Sequence, residues 1–291
     1  MRMNPVLENE MKRNTRSMRS SWIVFGVNLL LTIMSIAAYF GTVGRVGYLS
    51  SGQYRYPVKC YMIMAYTLFF MVCLLVPGIT GGSIAIERER KTLDILLTTH
   101  LSPWKIVMGK LESSLSMIFL IAFSALPAIS LILIFGGVSL VDLLALICIL
   151  VVSGIFIGSV GIFCSARIKK ATVATIVSYV IVMMLVLGTI AILIASYYLL
   201  ELRAQQLDNF ESVNIGGWIF VLLLNPLVSY FGLLSHQVGN GNELMEICCY
   251  FGEYASNAGV RHMLLLSLVI QILLSAVLLF AAGKSINPLR K

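Results

Sequence analysis

The chain has 291 residues, 59% of them hydrophobic and only 12% charged, with a formal net charge of +8. A soluble globular chain carries about 25% charged residues, so the composition excludes an ordinary soluble domain and points to a polytopic membrane protein. The basic residues sit in short groups beside apolar runs, which suits membrane orientation and anionic headgroups rather than a nucleic-acid surface.

The first twenty residues predict a helix. Asn4 suits a cap and Pro5 the first helical position. Glu8 and Glu10 come early and Lys12, Arg13, Arg16 and Arg19 come late, in line with the helix dipole. Leu7, Met11, Met18 and Trp22 fall near one face, so 1–20 reads as an amphipathic helix in the inner interface. A disordered basic tail is the plainer alternative.

A membrane span needs about 20 mainly apolar residues, because a helix rises roughly 1.5 Å per residue across about 30 Å of hydrocarbon. Six runs qualify: 22–40, 62–84, 115–135, 140–164, 173–200 and 263–283. The first is too long for the apolar core of a signal peptide. The fifth is long enough to tilt or to extend beyond the membrane.

Between the second and third spans lies a compact block of charge. Glu87, Arg88, Glu89, Arg90, Lys91 and Asp94 place three charges of each sign close together. Pro77 and Gly78, Gly81 and Gly82 weaken the helix before it, and Ser102–Pro103 ends the segment. Glu87 with Lys91, and Arg90 with Asp94, stand at helical i,i+4 spacing. Ile86, Leu93, Leu96, Leu97 and Leu101 supply an imperfect apolar stripe. The spacing predicts a short amphipathic helix over 86–101 at the membrane surface. Balanced charge attracts anionic lipid weakly and suits a specific protein surface, while a solvated, self-paired helix face explains the pattern equally well.

In the fourth span, Gly154 and Gly158 form a GxxxG with Gly161 following, which permits close helix approach within one subunit or between two. The region 201–262 contains a seventh apolar run, 217–235, broken at Asn225–Pro226. Pro removes a backbone donor and disfavours helix in the residue before it. The run is expected to form a re-entrant pair of short helices, with a kinked full span as the alternative.

With the N-terminus in the cytoplasm, sixteen of the twenty-one Lys and Arg fall inside. Arg45, Arg55, Lys59, Arg203 and Arg261 are the five outside, so the positive-inside rule favours cytoplasmic N- and C-termini in the plasma membrane.

Little in the chain suggests chemistry. His100, His236 and His262 form no HExxH, and no metal-ligand set is visible. The six cysteines show no CxxC, although Cys60 could pair with Cys248 or Cys249 on the outer side. There is no P-loop. Ion-coupled carriers usually keep ionisable residues within the membrane, whereas here Glu112 and Asp142 lie near span ends and Gln271 is uncharged. An intramembrane enzyme therefore finds no support, and a transporter of this kind needs its free energy from another protein.

The stretch "GSIAIERERKTLDILLTTHLSPWKIVMGKL" (82–111) resembles the signature of the ABC type-2 transporter permease family. The matching residues are Glu87, Arg88, Glu89, Arg90, Thr92, Asp94, Leu96 and Leu97, then Leu101–Ser102, then Gly109–Lys110. His100 stands where members most often have Pro. "NPVLENEMKRNTR" is similar to the family's opening interfacial helix.

The resemblance implies one all-α permease domain over 1–291: six transmembrane helices, the interfacial helix, a cytoplasmic coupling helix and re-entrant outer helices. It implies an exporter unit of two permease subunits, identical or related, and two ABC ATPase subunits, with ATP and Mg held by the ATPase alone. Glu87, Arg88, Glu89, Arg90, Lys91, Thr92 and Asp94 would lie at the ATPase contact, with Leu93, Leu96 and Leu97 anchoring the helix. Arg167, Lys169 and Lys170 would form a second, smaller contact, and Asn225 and Pro226 an outer gate. The apolar spans suit a hydrophobic or amphipathic substrate such as a drug, lipid or peptide, though no binding residue can be named. The alternative is a membrane scaffold, immunity or sensing subunit that binds a peptide or lipid without moving it.

Overall fold

The computed structural model describes residues 12, 18–43, 55–93, 102–134, 138–206, 214–239, 241–254 and 257–286. They are overwhelmingly helical, with no strand among the described residues. The helices are α1 (Met18–Val43), α2 (Arg55–Thr80), α3 (Ser83–Glu89), α4 (Pro103–Ile134), α5 (Leu140–Arg167), α6 (Ala171–Met183) and α7 (Thr189–Gln206). A π turn at Met184–Gly188 joins α6 to α7. A 3-10 helix (Gly216–Leu224), α8 (Pro226–Val238), α9 (Glu243–Tyr250), α10 (Ala258–Arg261) and α11 (Met263–Ile286) follow.

Six stretches are long and apolar enough to cross a membrane: Ser20–Ala37, Val58–Glu89, Pro103–Pro127, Leu140–Arg167, Ala171–Gln205 and Met263–Ile286. They match the six predicted runs, with one clear shift. The third helix starts at Pro103 rather than near 115. Lys105, Lys110 and Glu112 lower the hydropathy there without opposing helix, and Pro suits a first helical turn. Of the predicted interfacial helix 1–20, only Lys12 and the start of α1 belong to the described residues.

The chain divides into two compact units, Met1–Val180 with Leu274–Lys291, and Ile181–Leu273. In the first unit, α2 packs against α1, α4 and α5, and α5 also packs on α4. Small residues on α5 make its approach to α2 and α4 close. A Cβ on Gly161 would collide with the Thr80 hydroxyl, and one on Gly154 would meet Ile118 Cδ1 at 2.6 Å. The GxxxG stripe therefore packs inside the subunit. At one end of this unit Ile84, Leu93, Val107, Leu111, Ile162, Ala166, Leu279, Ala282 and Ile286 form a shared core. Pro77 lies inside α2, and a neighbouring hydroxyl stands close by: Tyr179 Oη donates to the Leu74 carbonyl at 2.6 Å. Such neighbours make Pro tolerable within a span.

In the second unit Leu193, Ile215, Ile219, Leu222, Leu223, Cys248, Tyr254, Val260 and Met263 pack together. The 3-10 helix and α8 meet at 91°. Asn225 makes this elbow. Its backbone is extended, Pro226 opens α8, and its side-chain oxygen accepts from the Leu227 amide at 2.9 Å. Its amide nitrogen donates to the Val186 carbonyl and to Thr189 Oγ1, both at 2.9 Å. The Val186 carbonyl belongs to the π turn, and the wholly buried Asn225 reaches it there. Gln271 Nε2 donates to Ser229 Oγ at 3.0 Å behind the elbow.

Losing this amide removes its bonds to the Val186 carbonyl and the Thr189 hydroxyl, and an intramolecular hydrogen bond contributes about 0.5–1.5 kcal/mol. Asn225→Ala and Asn225→Asp should both lower the unfolding temperature of the detergent-purified chain. Asp keeps the cap oxygen but cannot donate. Adding Thr189→Val to Asn225→Ala should cost little more, because the two share one network.

Candidate functional site

The charge block sits where three helix ends of the first unit meet. After α2 the chain turns at Gly81–Gly82 and re-enters helix as α3, which stops at Glu89. Lys91 takes the left-handed conformation, φ 56°, which costs a side-chain-bearing residue strain that Gly would avoid. The expected helix over 86–101 is therefore interrupted at Arg90–Lys91, and residues 94–101, including Asp94, Leu96, Leu97 and His100, lie outside the described residues. The Glu87–Lys91 pairing expected on a continuous helix gives way to a different set of partners.

Those partners are the ends of α4, α5 and α6. Glu87 Oε1 forms a salt bridge with Lys110 Nζ at 2.6 Å. The side chains are 4% exposed for Lys110 and 20% for Glu87, and Glu87 Oε2 is buried without a hydrogen-bond partner. Arg88 Nη2 donates to the Ala166 carbonyl at 2.8 Å, at the C-terminal end of α5. Glu89 Oε1 accepts from the Ala171 amide at 2.9 Å, at the N-terminal end of α6. A cation on a helix C-terminus and an anion on an N-terminus both match the helix dipole. Ser165 Oγ accepts from the Ile84 and Ala85 amides at 2.9 and 3.0 Å, satisfying the start of α3. Ser285 Oγ also donates to the Ala166 carbonyl, at 3.3 Å.

The sequence alone did not mark Ser165, Ala166 or Ala171 as partners of this segment. They are small residues at a span end, and only the tertiary fold brings them to α3. Leu93 is buried in the shared core, whereas Arg90, Lys91 and Thr92 are exposed. Arg167, Lys169 and Lys170 are exposed on the turn between α5 and α6, with the Arg167 guanidinium 5.7 Å from the Phe163 ring centre. Asn225 and Pro226 lie in the second unit, at the elbow already described.

A family model described as an ABC-2 family transporter protein matches residues 5–283. The chain belongs to that family. It is a multi-pass membrane subunit of an ABC transporter, and membership implies association with ABC ATPase subunits. No curated protein matches the sequence. Among the described residues no three His, Cys, Asp or Glu stand together as metal ligands. None of the six cysteines is in a disulfide. Burial, with Cys249 adding to it, pushes the Cys248 thiol up to about 11, which keeps it protonated and unreactive at neutral pH.

The buried Glu87–Lys110 pair sets the first test of this permease. Removing one partner of a buried pair leaves an uncompensated charge, at a cost of about 3–5 kcal/mol, somewhat less here because Glu87 is partly exposed. Glu87→Gln should destabilise the chain clearly in thermal unfolding. Glu87→Gln combined with Lys110→Met should recover much of the loss, and independent, additive losses would show that the pair is not coupled.

Proposed function

We infer that this permease is the membrane subunit of an ATP-driven exporter for a hydrophobic or amphipathic substrate such as a drug, lipid or peptide. Two permease subunits work with two cytosolic ABC ATPase subunits, which alone bind ATP and Mg. The ATPase docks on the segment carrying the charge block, from Glu87 to Asp94, and on the turn that carries Arg167, Lys169 and Lys170. Leu93, Leu96 and Leu97 hold that segment to the permease. The α8 elbow at Asn225–Pro226 closes the outer exit. The termini are cytoplasmic.

The observation that carries this reading is the fastening of the charge block to three helix ends. Displacement of α3 by a partner is passed directly to α4 through Lys110, to α5 through Ala166 and to α6 through Ala171. The membrane interior also favours an external energy source. Among the described residues the fully buried polar groups are Ser, Thr, Asn and Gln, with Lys110 already paired. None of them is a carboxylate that could carry a coupling proton or sodium ion.

Affinity purification of the tagged chain in mild detergent, followed by mass spectrometry, should recover an ABC ATPase at about one per permease. The wash must be short relative to dissociation, because dilution shifts a binding equilibrium toward free subunits. The reconstituted complex should hydrolyse ATP faster when substrate is added. A chain that comes out alone and intact would remove the energy source and leave a sensing or scaffold subunit.

A further inference from the structure

We propose that the ATPase meets a basic platform built from two chain segments, Arg90–Lys91 and Arg167–Lys170, and that its own receiving surface is acidic. This rests on the exporter reading given above. In sequence the block is neutral, with three charges of each sign. The fold sorts the described ones, Asp94 lying outside the described residues. Glu87 turns inward to Lys110, and the Glu89 carboxylate, although exposed, is engaged on the Ala171 amide. Arg90 and Lys91 remain exposed on the interrupted turn, and Arg167, Lys169 and Lys170 are exposed on the neighbouring one.

The two segments form a single body. Arg88 holds Ala166 from one side and Glu89 holds Ala171 from the other, so the α5–α6 turn is gripped at both of its ends by α3. Ser165 returns the contact by accepting two amides of α3. Among the described residues, the surface thus presents five exposed cations against one exposed carboxylate that already has a partner. Fixed geometry lowers the ordering cost of binding and suits a partner with a defined surface. Fluid lipid headgroups gain nothing from such a fixed register, so the charge complement is assigned to the ATPase.

The test uses the full-length chain with its ATPase, in nanodiscs of neutral lipid and in nanodiscs containing anionic lipid. Binding of the ATPase is titrated at rising salt for the unmodified chain, for Lys169→Glu with Lys170→Glu, and for single Lys169→Gln and Glu89→Gln. Exposed charge pairs contribute modestly and are screened, so the double reversal should weaken binding about tenfold at low salt and flatten the salt dependence. Glu89→Gln, which retains an oxygen for the Ala171 amide, should weaken binding less than Lys169→Gln. The opposite ranking would place the carboxylate in the contact and overturn the proposal. Unchanged binding by the double reversal would overturn it while leaving the exporter reading intact. Binding that follows the anionic lipid content, whatever the charge of the platform, would assign the cations to headgroups and also overturn it. An unmodified chain that binds no ATPase in either lipid would instead remove the exporter reading on which the proposal depends.

Discussion

The bilayer offers no water to a backbone group that leaves the helical ladder, so each break in a span must find its partner within the protein. This permease answers that demand with side chains. Ser165 takes early amides of α3, Arg88 a last carbonyl of α5, Glu89 the first amide of α6 and Asn225 a carbonyl of the π turn. These contacts satisfy orphaned groups, and they also tie each irregular segment to a particular neighbour. The same hydrogen bonds that make the breaks tolerable therefore fix which segments are tied to one another.

The two units use different chemistry for the same purpose. At the charge block the ties are ionic or charge-assisted, at an edge where charges stay partly hydrated. Charge-assisted hydrogen bonds are the stronger kind. At the Asn225 elbow the ties are neutral amide and hydroxyl bonds among buried groups. A charged group buried there would cost far more than it returned.

Much of the fold was legible because hydropathy is a strong signal in membrane chains. The six runs, the elbow at Asn225–Pro226 and the family signature around 87–110 could all be read directly from the residues. Local spacing failed where tertiary partners decided the outcome. Glu87 and Lys91 stand at helical spacing, but the chain turns at Lys91 and Glu87 reaches Lys110 instead. Ser165 looks like any small polar residue in a span, and no pattern marks it as an acceptor for a segment some eighty positions earlier. The π turn was equally hidden, since Met184–Gly188 is uniformly apolar and a wider helical turn leaves no trace in composition.

The glycines of α5 have a consequence for assembly. Gly154 and Gly161 are closed over by Ile118 and Thr80 of the same chain, and Gly158 by Leu111. A stripe of small residues can admit only one neighbour at that distance, and here the neighbour is internal. This ridge is therefore occupied within the chain, and the small-residue motif in this sequence reports intrachain packing rather than a free surface.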